Sequence, residues 1–171
     1  MIKGLYEAHL PVRNLEISIP FYESLGLKLY KREEKIAFFW IIEKESWLGL
    51  WEGDEYKTTY HPSLRHIAFQ VGLSDLEKAI DWLHTKGVSA RQDFGMEPLE
   101  PIVFPELAHA SLYFNDPDGN SLEFITKLPI ELPIKEKMYL SEWKKRVHFS
   151  LSHVVTPLEY HLLKYYMHLP F

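Results

Sequence analysis

Three side chains able to hold a metal ion fall on segments that read as β-strands: His9, His66 and Glu123. Two imidazoles and one carboxylate leave coordination positions open for water or substrate, and such a set suits Zn, Mn, Ni or Fe(II). Held that way, a metal can act as a Lewis acid on a substrate oxygen or, as Fe(II), can form the facial triad of an oxygenase. The chain has no cysteine. Disulfides, cysteine zinc sites and thiol nucleophiles are therefore excluded.

The elements that must position these ligands follow from periodicity. Glu7, His9 and Pro11 alternate with Ala8, Leu10 and Val12, the period-2 pattern of a strand. Leu64, His66, Ala68 and Gln70 share one strand face, and so do Ser121, Glu123 and Ile125. Asn14 can cap a helix that runs to about Ser24 and closes at Gly26. Pro20 predicts that this helix either starts near Ser18 or kinks. Three strands rich in Leu, Ile, Phe and Trp follow, near 27–32, 35–43 and 46–52.

The pattern then repeats, with NLEISIPFYESLGL at 14–27 aligning with DLEKAIDWLHTKGV at 75–88. Ser74 and Glu77 read as a capping box opening a helix to Lys86, and strands are expected near 88–92, 109–115 and 120–126. The reading is an α+β fold of two tandem βαβββ modules, about 1–55 and 62–126, whose sheets pair into one cup-shaped mixed sheet. Equivalent strands then bring His9 and His66 together across a pseudo-twofold axis, with Glu123 at the third corner. The proline-bearing segment 93–108 reads as a loop of lid type. Residues 127–171 form a C-terminal extension in which Thr156-Pro157-Leu158-Glu159 opens a terminal helix with an apolar stripe at Leu158, Leu162, Tyr165 and Leu169.

Composition narrows the class. With 46% apolar residues and a net charge of -5, the 171-residue chain is globular and has no electrostatic reason to bind nucleic acid or anionic lipid. No run approaches the roughly 20 apolar residues of a membrane span, and the first residues lack a signal-peptide core. A cytoplasmic protein is the expectation.

SLYFNDPDGNSLEFI at 111–125 resembles the closing hairpin of the glyoxalase and fosfomycin-resistance families, in which an Asp-Pro-Asp-Gly turn precedes the strand carrying the metal carboxylate. LRHIAFQV resembles the strand bearing their second histidine, and EAHLPVRNLEISIPFYESLGLKL their first strand and helix. The chain is thereby identified over residues 4–126 as a vicinal oxygen chelate protein. The resemblance implies one divalent metal on His9, His66 and Glu123, a homodimer, and a small-molecule substrate with a possible thiol co-substrate. It also implies a pocket of Trp47, Gly49, Ser111 and Tyr113, with Tyr113 and Ser111 positioning the substrate. Glyoxalase I has a fourth ligand, a glutamate, where this sequence has Gly49, so three-ligand fosfomycin-resistance thiol transferases match better. From Gln92 to Thr126 there is no lysine or arginine to receive a phosphonate.

Three activities fit. One is a Lewis-acid enzyme of transferase, lyase or isomerase type. Another is an Fe(II) extradiol dioxygenase, with His109 as an acid–base candidate. The third is a bleomycin-resistance-like protein that sequesters a small molecule in an aromatic groove, for which Phe38, Phe39 and Trp40 are candidates.

Overall fold

The computed structural model describes residues 6–54 and 65–154. The expected helix from Pro157 and its stripe lie outside the described residues. Packing divides the chain into two compact units: residues 1–67 with 114–122, and residues 68–113 with 123–171.

The first unit begins with β1 (Glu7–Val12), α1 (Leu15–Ser24), β2 (Lys28–Arg32), β3 (Ile36–Ile42) and β4 (Ser46–Glu52). This is the βαβββ module expected from the sequence. Its sheet has the order β1-β4-β3-β2; β1 runs parallel to β4 and the other neighbours are antiparallel. Alternation sends Leu10, Val12, Ala37, Phe39, Leu48 and Leu50 into the core, which also holds Leu15, Ile19 and Tyr22 of α1. Two acceptors start the helix: Asn14 Oδ1 takes the Glu16 N–H at 2.7 Å and Glu52 Oε2 takes that of Leu15 at 2.8 Å. The helix does not wait for Ser18 but runs from Leu15 through Pro20. Pro20 lies on the exposed side, where water can hydrate the Glu16 carbonyl that loses its amide partner.

The second sheet has the order β5-β8-β7-β6-β9, formed by β5 (His66–Gln70), β6 (Ile102–Phe104), β7 (His109–Asn115), β8 (Ser121–Lys127) and β9 (Met138–Tyr139). Between β5 and β6 lie α2 (Leu73–Leu76) and α3 (Ala79–Thr85). The expected capping box does not form. Gly72 is the N-cap, without a side-chain hydrogen bond, and the helix breaks after Leu76. Glu77 is drawn elsewhere: its carboxylate accepts Lys144 Nζ at 2.7 Å. The apolar stripe Leu76, Ala79, Leu83 nevertheless keeps helical spacing across the break.

Residues 88–92 make no strand of their own. Only Val88 of that segment is buried, and Arg91 donates its N–H to the Tyr113 carbonyl at 2.8 Å. The strand beside β7 comes instead from the expected lid: buried Ile102 and Val103 pair with Ser111 and Ala110. The rest of that segment is held by a tight Asp93–Met96 turn and a 3-10 turn at Pro105–Leu107.

Among the described residues, chain beyond residue 127 packs into this core: Leu128, Leu132 and Met138 are buried. β9 pairs with β6, and α4 (Leu140–Val154) buries Leu140, Trp143 and Val147. Their spacing of three and four was a helical signal in the sequence. Among the described residues no helix is long and apolar enough to cross a membrane.

Candidate metal and substrate site

His9 stands on the face of the first sheet opposite the core. The parallel register pairs Glu7 with Trp47, His9 with Gly49 and Pro11 with Trp51, so all six share that face. Trp51 donates its indole N–H to His9 Nδ1 at 2.8 Å, while His9 Nε2 lies 3.6 Å from Glu7 Oε1. Trp47 in turn donates to Glu7 Oε2 at 2.7 Å. Phe38 meets the His9 ring edge-on at 6.3 Å, and Trp40 packs against Trp47 at 5.6 Å and Tyr30 at 4.3 Å. Gly49 makes room for the imidazole: a Cβ there would sit 2.2 Å from His9 Nδ1.

The Asp116-Pro117-Asp118-Gly119 turn of the family-like hairpin also ties together the first unit. Asp116 Oδ2 accepts the Tyr22 hydroxyl at 2.8 Å and Asn120 Nδ2 at 2.6 Å, while Oδ1 accepts the N–H groups of Asp118 and Asn120. Asn120 Nδ2 also reaches the Pro11 carbonyl at 3.0 Å, and Ser18 Oγ donates to Asp118 Oδ2 at 3.1 Å. Gly119, at φ 81°, supplies the left-handed step. Burial, followed by the nearby Asp116 charge, pushes the Tyr22 phenol well above its ordinary pKa. Burial also raises the Asp116 carboxyl, against the pull of its hydrogen bonds. Just past the turn, half-buried His66 places Nδ1 3.1 Å from Ser121 Oγ. A partner on one ring nitrogen is how ligating imidazoles are commonly oriented.

In the second unit, Ser111 and Tyr113 share a face of β7 and Glu123 lies on β8; all three are buried. Burial, then the charge of neighbouring Glu123, raises the Tyr113 phenol far above the ordinary tyrosine range. Phe94, held at φ 50°, meets the Tyr113 ring at 5.7 Å. Arg91, one residue outside the cation-free stretch read from the sequence, lies 5.5 Å from the Tyr113 ring centre and pairs with Asp93 at 2.8 Å. Lys137, in the extension, sits 5.0 Å from the centre of Phe94. His109 stacks on Phe104 at 4.6 Å.

The chemistry of the donor set fits a divalent metal. His9 lies over a cradle that any Cβ at residue 49 would fill, His66 is oriented through one nitrogen, and Glu123 adds a buried carboxylate. Among the described residues, no three His, Asp or Glu side chains gather closely enough to hold an ion.

Comparison with known proteins decides the family. The model of the Glyoxalase/Bleomycin resistance protein/Dioxygenase superfamily matches residues 4–124. The chain belongs to this superfamily. A metallothiol transferase, FosB, of Bacillus licheniformis is 32% identical over 131 residues, covering 73% of this chain and 76% of the relative. A glutathione transferase, FosA, of Serratia marcescens is 30% identical over 124 residues, covering 72% and 80%. Among solved structures, the integron cassette protein HFX_CASS4 from the Halifax Harbour sewage outfall metagenome is 33% identical with a TM-score of 0.58, covering 73% of this chain and 99% of that one. The fosfomycin resistance protein FosX of Listeria monocytogenes has a TM-score of 0.57 at 23% identity, covering 75% and 97%, and shares the glyoxalase fold. The superfamily match ends at residue 124, so β9 and α4 are additions to its common part.

Residues beyond the sequence reading are Glu7 and Trp51 around His9, Ser121 beside His66, and Arg91 with Phe94 around Tyr113. Glu7 and Ser121 carried a signal, being two residues from His9 and Glu123 on faces already assigned.

Proposed function

We propose that this chain is a metal-dependent transferase of the fosfomycin-resistance type, which joins a thiol co-substrate to a small oxygen-bearing molecule. The similarity to FosB and FosA, at 32% and 30% identity over about three quarters of each chain, carries this reading. His9, His66 and Glu123 would hold the metal, one of Zn, Mn, Ni or Fe(II), in a homodimer. Bound there, the metal supplies Lewis acidity to a substrate oxygen. In thiol addition a C–S bond forms, a C–O bond breaks, and the thiol proton ends on the freed oxygen.

Tyr113 suits the oxygen side of that exchange. Its phenol stays protonated, so it serves as a hydrogen-bond donor to a developing oxyanion rather than as a base. Ser111 offers a second hydroxyl on the same strand face. Arg91 is already paired with Asp93, which disfavours a dianionic phosphonate and favours an oxygen-bearing substrate of lower charge.

The test uses full-length protein purified without chelator or nickel resin. Metal analysis should find close to one ion per chain, and a thiol with a panel of epoxides, fosfomycin included, should give a metal-dependent adduct by mass spectrometry. A second reading, sequestration without turnover, is favoured by the open aromatic face of Phe38, Trp40, Trp47 and Trp51. Ligand binding by metal-free protein with no adduct would select it and reject the transferase.

A further inference from the structure

His9 has a single lone pair to give. A neutral imidazole carries its proton on one ring nitrogen and its lone pair on the other, and an indole N–H only donates. Because Trp51 Nε1 lies 2.8 Å from His9 Nδ1, Nδ1 is the acceptor. The ring proton is then on Nε2, which faces Glu7 Oε1 at 3.6 Å. Glu7 is held for this by the Trp47 indole at 2.7 Å. Donors and acceptors alternate without conflict along Trp51, His9, Glu7 and Trp47.

A metal needs the same lone pair. If it takes Nδ1, the indole must leave. If it takes Nε2, the ring proton must move to Nδ1, where it would face the indole N–H, donor against donor. Both routes break the Trp51–His9 bond. We infer that Trp51 is a positioning residue that competes with the metal for His9, so that loading the ion requires its indole to release the ring. The inference rests on His9 being a ligand, as the proposed function holds. Trp51 is free to move: it lies near the end of β4 and is 49% exposed. Whether the indole swings out or the His9 ring turns, the Trp51–His9 bond is the one given up.

Zinc titration of the full chain by calorimetry tests this in wild type, Trp51→Phe and His9→Ala, with thermal melts as a check of folding. Trp51→Phe keeps the apolar contact and removes the competing donor. It should bind zinc about fivefold tighter, the worth of one net hydrogen bond. Zinc should also change indole emission in wild type by more than in Trp51→Phe. A merely structural tryptophan would not raise affinity when removed. Equal or weaker binding by a folded Trp51→Phe overturns the competition, provided that His9→Ala loses zinc. If His9→Ala binds zinc as tightly as wild type, His9 is not a ligand, and the metal assignment fails with the competition.

Discussion

Replacing Trp143 with alanine removes the largest fully buried side chain of the described structure, from the middle of the Leu140, Trp143, Val147 stripe of α4. A buried Trp→Ala substitution costs about 3–5 kcal/mol, a large part of the ~5–15 kcal/mol that holds a domain together. Phenylalanine should behave differently. The Trp143 Nε1–H is buried without a hydrogen-bond partner among the described residues. An orphaned donor of that kind costs about 1–3 kcal/mol, which offsets much of the volume lost in Trp143→Phe. The net change should therefore stay within about 1 kcal/mol. Urea unfolding followed by far-UV circular dichroism measures both, with stability read from midpoint and slope. A loss below about 1 kcal/mol in Trp143→Ala would refute the packing of α4 as core. If Trp143→Phe were as damaging as Trp143→Ala, the indole N–H would have to be satisfied, and the argument from the orphaned donor would fall.

Other consequences can be measured independently. His66→Ala should lose most bound metal and melt at a lower temperature in the presence of metal, because a bound ion stabilises the folded state by mass action; elemental analysis with full retention would sink the ligand set. A Cβ at residue 49 falls 2.2 Å from His9 Nδ1; Gly49→Ala and Gly49→Glu should both displace the imidazole and weaken metal binding about 10- to 100-fold, and tighter binding in calorimetry would contradict this. Mixing His9→Ala with Glu123→Ala protein should restore part of the metal binding if these two ligands come from different copies, whereas no recovery places this pair within one. Tyr22 and Tyr113 both have raised pKa values, so the folded state holds their protons more tightly than the unfolded chain does. Stability should be fully present below about pH 10 and fall above it, by up to ~1.4 kcal/mol per pH unit for each tyrosine; an unfolding free energy flat from pH 9 to 11.5 would be the contrary result.

What the sequence revealed depended on how local each cause was. The first module was legible because Asn14, the alternation of Glu7–Val12 and the aromatic strands act over a few residues. The second helix was misread because its Glu77 is claimed by Lys144, 67 positions away. Ile102–Phe104 is only three residues long and flanked by prolines, so its place in the sheet depends on pairing with β7 and β9. The Trp51–His9 bond follows from the register of two parallel strands, which no local pattern encodes. His9, His66 and Glu123 could be nominated from type and strand position, whereas the groups that orient them came from distant chain.

The Asp116–Asn120 turn carries a lesson for anyone dividing this gene. It is contributed by the second repeat, yet it packs with the first unit, where Tyr22, Ser18 and Pro11 receive it. A fragment ending between the repeats would encode α1 and β1 without the loop they hold, leaving the Tyr22 hydroxyl without its acceptor. The repeats are interleaved halves rather than interchangeable cassettes. Supplying the 109–127 hairpin in trans is therefore the natural starting point for a split version of this protein.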